Sequence, residues 1–161
     1  MKTLLPVVLL ILSFISCQSS NNSTPDIVLE YSYEYGHGIY NPKTITFDDT
    51  LVNSMFINGA SIFNKKCASC HTLSREKFVG PGLENITRRR TYYWIMNFIS
   101  NPKPMIDKDT TLHKLVQLCL VEMPNVKLEE NEVREILELF RFLDNERSQD
   151  TSVKQMFYNN K

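Results

Sequence analysis

Several kinds of protein are excluded by what this chain lacks. It has no apolar run near the ~20 residues that a membrane-spanning helix requires; the longest, Leu4 to Ile15, is broken by Pro6 and Ser13. It has no charge excess either: 18 basic residues balance 18 acidic ones, so net charge singles out neither nucleic acid nor an acidic surface as partner. Four cysteines and three histidines are few. Cys17 lies beside the apolar run and Cys119 stands alone, which is no disulfide framework. Beyond Cys67 and Cys70 there is no second closely spaced pair of ligands for structural zinc. No internal repeat and no strong parallel-strand pattern appears, so a thioredoxin-like use of Cys67 and Cys70 lacks its scaffold.

What is present is Cys67-Ala68-Ser69-Cys70-His71. This Cys-x-x-Cys-His spacing is the signature of covalent c-type haem attachment. On one helical turn the two thiols share a face, where each can add to a haem vinyl group, and His71 is held beneath the same ring to ligate the iron. A tight turn, Gly80-Pro81-Gly82-Leu83, follows, and a backbone carbonyl there is placed to accept the other imidazole N–H and fix the ring.

The apolar spacing predicts helices around this motif. Phe56, Ala60, Phe63 and Cys67 share a face that ends in it; Gly59 in that helix suggests close packing. Thr91 to Ile99 is an aromatic helix, stopped by Asn101-Pro102 and Pro104. Thr110 to Val121 is another, with Cys119 as a small buried hydrophobe. Val133, Ile136, Leu137, Phe140 and Leu143 stripe a final helix from about Glu129 to Asn145. Arg88, Arg89 and Arg90 read as a solvated face, or else one of them, or the Trp94 indole, meets a haem propionate.

The flanks differ in character. Met1 to Cys17 resembles a secretory leader ending in a bacterial lipobox, Phe14-Ile15-Ser16-Cys17, in which Cys17 carries the lipid. Residues 18–50 comprise a polar tether, Gln18 to Pro25, and an aromatic arm in which Tyr31, Tyr33, Tyr35 and Tyr40 surround Gly36-His37-Gly38. The alternation reads either as a short strand or as an extended arm laid over the domain, with His37 a surface-loop residue. The domain proper is 51–146, and 147–161 is a polar tail.

An electron-carrying haem needs a second axial ligand. Met1 leaves with the leader, Met55 and Met96 lie within helices, and Met156 is in the tail. Met105 and Met123 sit beside prolines in irregular chain. Met123 is preferred because it lies between two helices, just ahead of the closing one. Met105, His113 and an open site remain as alternatives.

The ordered set, from Gly59 and Phe63 through Cys67-Ala68-Ser69-Cys70-His71, Gly80-Pro81-Gly82-Leu83, the Trp94 helix and Met123-Pro124 to the closing helix, resembles a class I (small monohaem) cytochrome c over residues 52–145. The resemblance implies an all-α bundle of about four helices around one covalent haem c, with iron held by His71 and Met123. It implies that Pro81 contributes the carbonyl to His71 and that Gly59 packs the first helix against the last near Phe140. Glu129 departs from the Ser or Thr that often starts the family's closing helix. The function expected is one-electron transfer, not enzymatic turnover. The expected partners are a quinol-oxidising complex, dehydrogenase or terminal oxidase, with the protein lipid-anchored to a bacterial membrane, facing the periplasm or outer side. A haem sensor or peroxidase-like protein with an open iron site is the alternative, and the thiol oxidoreductase a more distant one.

Overall fold

The computed structural model describes residues 31–48 and 50–145. Six helices follow one another: α1 (Asn53–Lys66), α2 (Ile86–Arg89), α3 (Tyr92–Ser100), α4 (Pro102–Ile106), α5 (Thr110–Cys119) and α6 (Glu130–Asp144). Among the described residues there is no strand, only an isolated bridge between Ser32 and Gly36. The fold is all-α, with the four expected helices present as α1, α3, α5 and α6.

α1 and α6 cross at the centre. Phe56 stacks on Phe142 with ring centroids 4.0 Å apart, and Phe63 meets Phe140 edge-on at 6.3 Å. Between these aromatic pairs the backbones touch: a Cβ on Gly59 would stand 2.6 Å from the Glu135 carbonyl carbon and 3.1 Å from Leu139 Cβ. The close approach therefore falls one turn before Phe140. α6 begins without Ser or Thr. Glu129 N–H donates to the Glu132 carboxylate at 2.9 Å, and that carboxylate also receives Lys66 Nζ at 2.8 Å, so the start of α6 is tied to the end of α1.

Two expectations change at prolines and caps. Pro102 and Pro104 do not leave the chain irregular; they open α4, because the first turn of a helix has no use for those N–H groups. Met105 accordingly sits in a helix and is fully buried. α5 stops at Cys119, earlier than Val121, because Leu120 adopts left-handed backbone (φ 59°). Cys119 is half-buried, not enclosed.

Residues 31–48 form a strap over α3, with Tyr40 in the core. The strap has no ladder of its own; besides its own turn bonds, α3 ties it down. Asn97 donates to the carbonyls of Tyr35 (2.7 Å) and Tyr40 (2.8 Å) and accepts from Tyr40 N–H at 3.0 Å. Gly38 lies on Asn97, where a Cβ would come 2.7 Å from Cγ. His37, expected on the surface, is half-buried, and its Nδ1 is buried without a hydrogen-bond partner.

Candidate functional site

The attachment motif grows out of the end of α1. Cys67 and Ala68 N–H both donate to the Phe63 carbonyl, at 2.8 and 2.9 Å, and Cys70 and His71 N–H both donate to the Cys67 carbonyl, at 3.0 and 2.9 Å. The chain thus winds through the motif in one further tight turn. Cys67 and Cys70 are free thiols, each half-buried. Burial pushes the Cys67 thiol up to about 11, partly offset by Lys66, so it is neutral near pH 7.

His71 is held from the Gly80 turn. Its Nδ1 lies 2.9 Å from the Pro81 carbonyl oxygen, which can only accept. The proton therefore sits on Nδ1, and Nε2 keeps the lone pair that a metal would take. Gly80 lies against the ring: a Cβ there would come 2.5 Å from Cε1 and 2.9 Å from Nδ1. Gly80 N–H donates to the Cys70 carbonyl at 2.8 Å and Leu83 N–H to the Thr72 carbonyl at 2.9 Å, stitching turn to motif. Inside the loop, buried Thr72 donates to the Glu76 carbonyl at 2.7 Å. A side chain at position 80 would displace the imidazole.

Cys67, Cys70, His71 and Pro81 thus form one hydrogen-bonded group, and Met123 stands apart on the segment between α5 and α6. It is half-buried and packs against the core. That segment returns to the motif end of α1 where Lys66 Nζ donates to the Lys127 carbonyl at 3.4 Å. Met105 is enclosed beneath the strap, where a Cβ on Gly36 would come 2.8 Å from its sulfur. His113 is exposed on α5. Trp94 carries the Arg90 guanidinium 4.5 Å above its ring, and its N–H is buried without a hydrogen-bond acceptor. Arg88 donates to the Asp144 carbonyl and Arg89 to those of Gly82 and Glu84, so two of the three arginines fasten backbone.

The donor set fits a covalently attached haem: two free thiols on one turn and an imidazole with fixed tautomer and a free Nε2. Among the described residues no three His, Cys, Asp or Glu side chains gather into a metal-ion cluster, and no helix is long and apolar enough to cross a membrane. Cys17 lies outside the described residues. Sequence reasoning named Tyr31 among the tyrosines of the arm but missed Asn97 and Asp109, the side chains that hold the strap to α3 and to the start of α5. The one available signal was Asn97 itself, a polar residue in the apolar run of α3.

A family model described as cytochrome c matches residues 56–140, just over half of the chain. Among solved structures, the chain is similar to a cytochrome c from Rhodothermus marinus, with 32% identity over 65% of this chain and 90% of that one, at a TM-score of 0.60. It is similar also to an engineered cytochrome c from the same organism bound to a carbene intermediate, with 32% identity, the same coverage and a TM-score of 0.57. No curated protein sequence matches it.

Proposed function

The chain belongs to the cytochrome c family, and from that premise we propose that it is a monohaem electron carrier, lipid-anchored through Cys17 on the outer side of a bacterial membrane, with Met123 as the sixth ligand. The family binds haem c covalently, and the bound haem supplies an iron that exchanges one electron at a time.

This chain's residues do the holding. Cys67 and Cys70 would carry the thioether bonds. His71 would offer Nε2 from below, oriented by the Pro81 carbonyl and backed by Gly80. Met123 would offer its thioether from the segment between α5 and α6, and a thioether ligand favours the ferrous state relative to a second imidazole. The observation that carries this reading is the 2.9 Å contact between His71 Nδ1 and the Pro81 carbonyl within the attachment turn. It is the outer-shell partner that fixes a metal-ligating histidine.

Met123 is favoured over Met105 because Met105 is fully buried beneath Gly36, whereas Met123 lies on an irregular segment free to aim its sulfur. The test is a pair of substitutions in the holoprotein. Met123→Ala should abolish the sulfur-to-iron charge-transfer band and give partly high-spin ferric iron, and Met105→Ala should preserve the band. The opposite pattern would reassign the ligand.

The partners proposed are redox proteins: a quinol-oxidising complex, a dehydrogenase or a terminal oxidase. Anchoring rests on Phe14-Ile15-Ser16-Cys17 and the polar tether after it. One acyl chain binds a membrane only marginally, so a stable anchor at Cys17 means more than one.

A further inference from the structure

α5 leads directly to the Met123 segment, and it is rooted at one end. Its one buried residue is Leu112, near the N-terminus. Toward the other end Leu118 is 70% and Leu120 91% exposed, and the helix closes on Leu120 in left-handed backbone, an uncommon conformation for a residue with a Cβ. With one fully buried residue, Leu115 and Val116 only half-buried against the core, and an exposed far end, α5 opens more readily than the buried helices.

The root is Asp109, which is 1% exposed. Its two carboxylate oxygens serve different parts of the fold. Oδ1 caps α5, accepting from Thr111 N–H at 2.7 Å and Leu112 N–H at 3.4 Å. Oδ2 accepts from the Tyr31 hydroxyl at 2.5 Å. Tyr31 belongs to the strap, which Asn97 fixes to α3 by three hydrogen bonds. The hydroxyl therefore joins the start of α5 to the rigid part of the molecule. At its far end the Met123 segment is held by Lys66 at Lys127.

We propose that Tyr31 is a positioning residue for the sixth ligand: through Asp109 it fixes the root of α5 and so sets how readily the Met123 loop swings away from the iron. This rests on the assignment of Met123 as ligand, and the experiment separates the two.

The full-length ferric holoprotein is titrated with imidazole, which binds iron only when the loop has opened, so its apparent affinity scales with the open fraction. Tyr31→Phe keeps the ring and loses the hydroxyl, and should tighten apparent imidazole binding about tenfold, equivalent to ~1.4 kcal/mol in the opening equilibrium. Tyr33→Phe, in the same strap with its ring edge-on to Tyr31 and 72% exposed, should change nothing. Asp109→Asn keeps the cap and an acceptor but loses the charge, and should give a smaller rise of about threefold. If Tyr31→Phe does not accumulate as folded protein, Asp109→Asn decides alone. Affinities of Tyr31→Phe and Asp109→Asn within twofold of the parent would overturn the proposal, provided Met123→Ala binds imidazole much more tightly than the parent. If Met123→Ala binds it no more tightly, the ligand assignment itself is overturned.

Discussion

Replacing Gly59 with Ala should destabilise this protein, although the same change in an unhindered helix would stabilise it. Removing a helical glycine contributes ~1 kcal/mol through propensity alone. At position 59 the new methyl would stand 2.6 Å from the Glu135 carbonyl carbon and 3.1 Å from Leu139 Cβ, where carbon atoms ordinarily rest about 3.5–4.0 Å apart. The Glu135 obstacle is backbone inside α6, so no side-chain rotation relieves it. α1 and α6 must separate by roughly 1 Å, and a gap of that size forfeits about a quarter to a half of each dispersion contact it opens. The Phe56–Phe142 stack at 4.0 Å is directly exposed to that loss. Overpacking of a core typically costs about 1–3 kcal/mol, and occasionally more. With backbone on both sides the upper end applies, leaving a net loss of about 2 kcal/mol after the propensity gain. For a domain of this size that lowers the melting midpoint by about 10 °C. Far-UV circular dichroism melts of the two holoproteins would measure it. An unchanged or raised midpoint would refute the close-packing argument, because only the propensity term would then remain.

Stability should also fall in acid through Asp109. Burial pushes its carboxyl up, but hydrogen bonds from Tyr31, Thr111 and Leu112 outweigh that and hold it below the ordinary range. A carboxylate depressed by folding contributes stability that is complete above its unfolded value of ~3.9 and is lost as pH falls through the folded value. Urea midpoints between pH 6 and pH 2 should therefore decline less steeply in Asp109→Asn than in the parent, and identical acid limbs would rule this carboxylate out as a contributor. Tyr31 works in the other direction: burial first, then Asp109, raises its phenol, so its contribution is complete below ~10 and is lost as pH rises beyond that. Cys17→Ser should release the protein from the membrane fraction with its haem spectrum unchanged, and retention through a high-salt wash would place the anchor elsewhere.

The grouping of Cys67, Cys70, His71 and Pro81 was legible because it is local: the three motif residues fall within five positions on one turn, and the turn after them carries its own Gly-Pro-Gly mark. The four long helices were legible for the same reason, since each announces itself by apolar spacing within its own span. α4 was not, because prolines were read as stops when two of them at a helix start cost nothing. The strap was legible only as one of two readings, an extended arm laid over the domain; what fastens it was not, because its bonds join residues 57 to 78 positions apart. One Asn side chain donates to strap carbonyls and accepts a strap N–H, and one phenol donates to one carboxylate. The alternating tyrosines of residues 31–35 carry a strand-like period, yet only the Ser32–Gly36 bridge forms; each ring has its own partner, Tyr31 at Asp109, Tyr33 edge-on to Tyr31, and Tyr35 edge-on to Tyr93 of α3 at 5.5 Å.

The far end of the strap is fastened by a different device. Glu138, 1% exposed on α6, accepts from Arg134 at 3.1 Å and from Arg141 at 2.6 Å. One carboxylate shared by two guanidinium groups leaves the trio with a net positive charge, and each guanidinium also faces an aromatic ring: Arg134 lies 4.5 Å from that of Phe47 and Arg141 5.1 Å from that of Tyr92. Phe47 belongs to the strap, and Arg141 also donates to the Asp48 carbonyl. The strap is thus bound at its start to the cap of α5, which leads to Met123, and at its end to α6, which crosses α1, the helix that runs into the turn of Cys67 to His71. The segment 31–48 lies outside the family match at 56–140, yet it joins the cap of α5 at Asp109 to α6 at Arg141. Loosening the Tyr31 end should therefore register first at the root of α5 and only afterwards in the melting of the α1–α6 core, where Phe56, Phe63, Phe140 and Phe142 pair across the two helices; loosening the Asp48 end should reach α6 directly through Arg141.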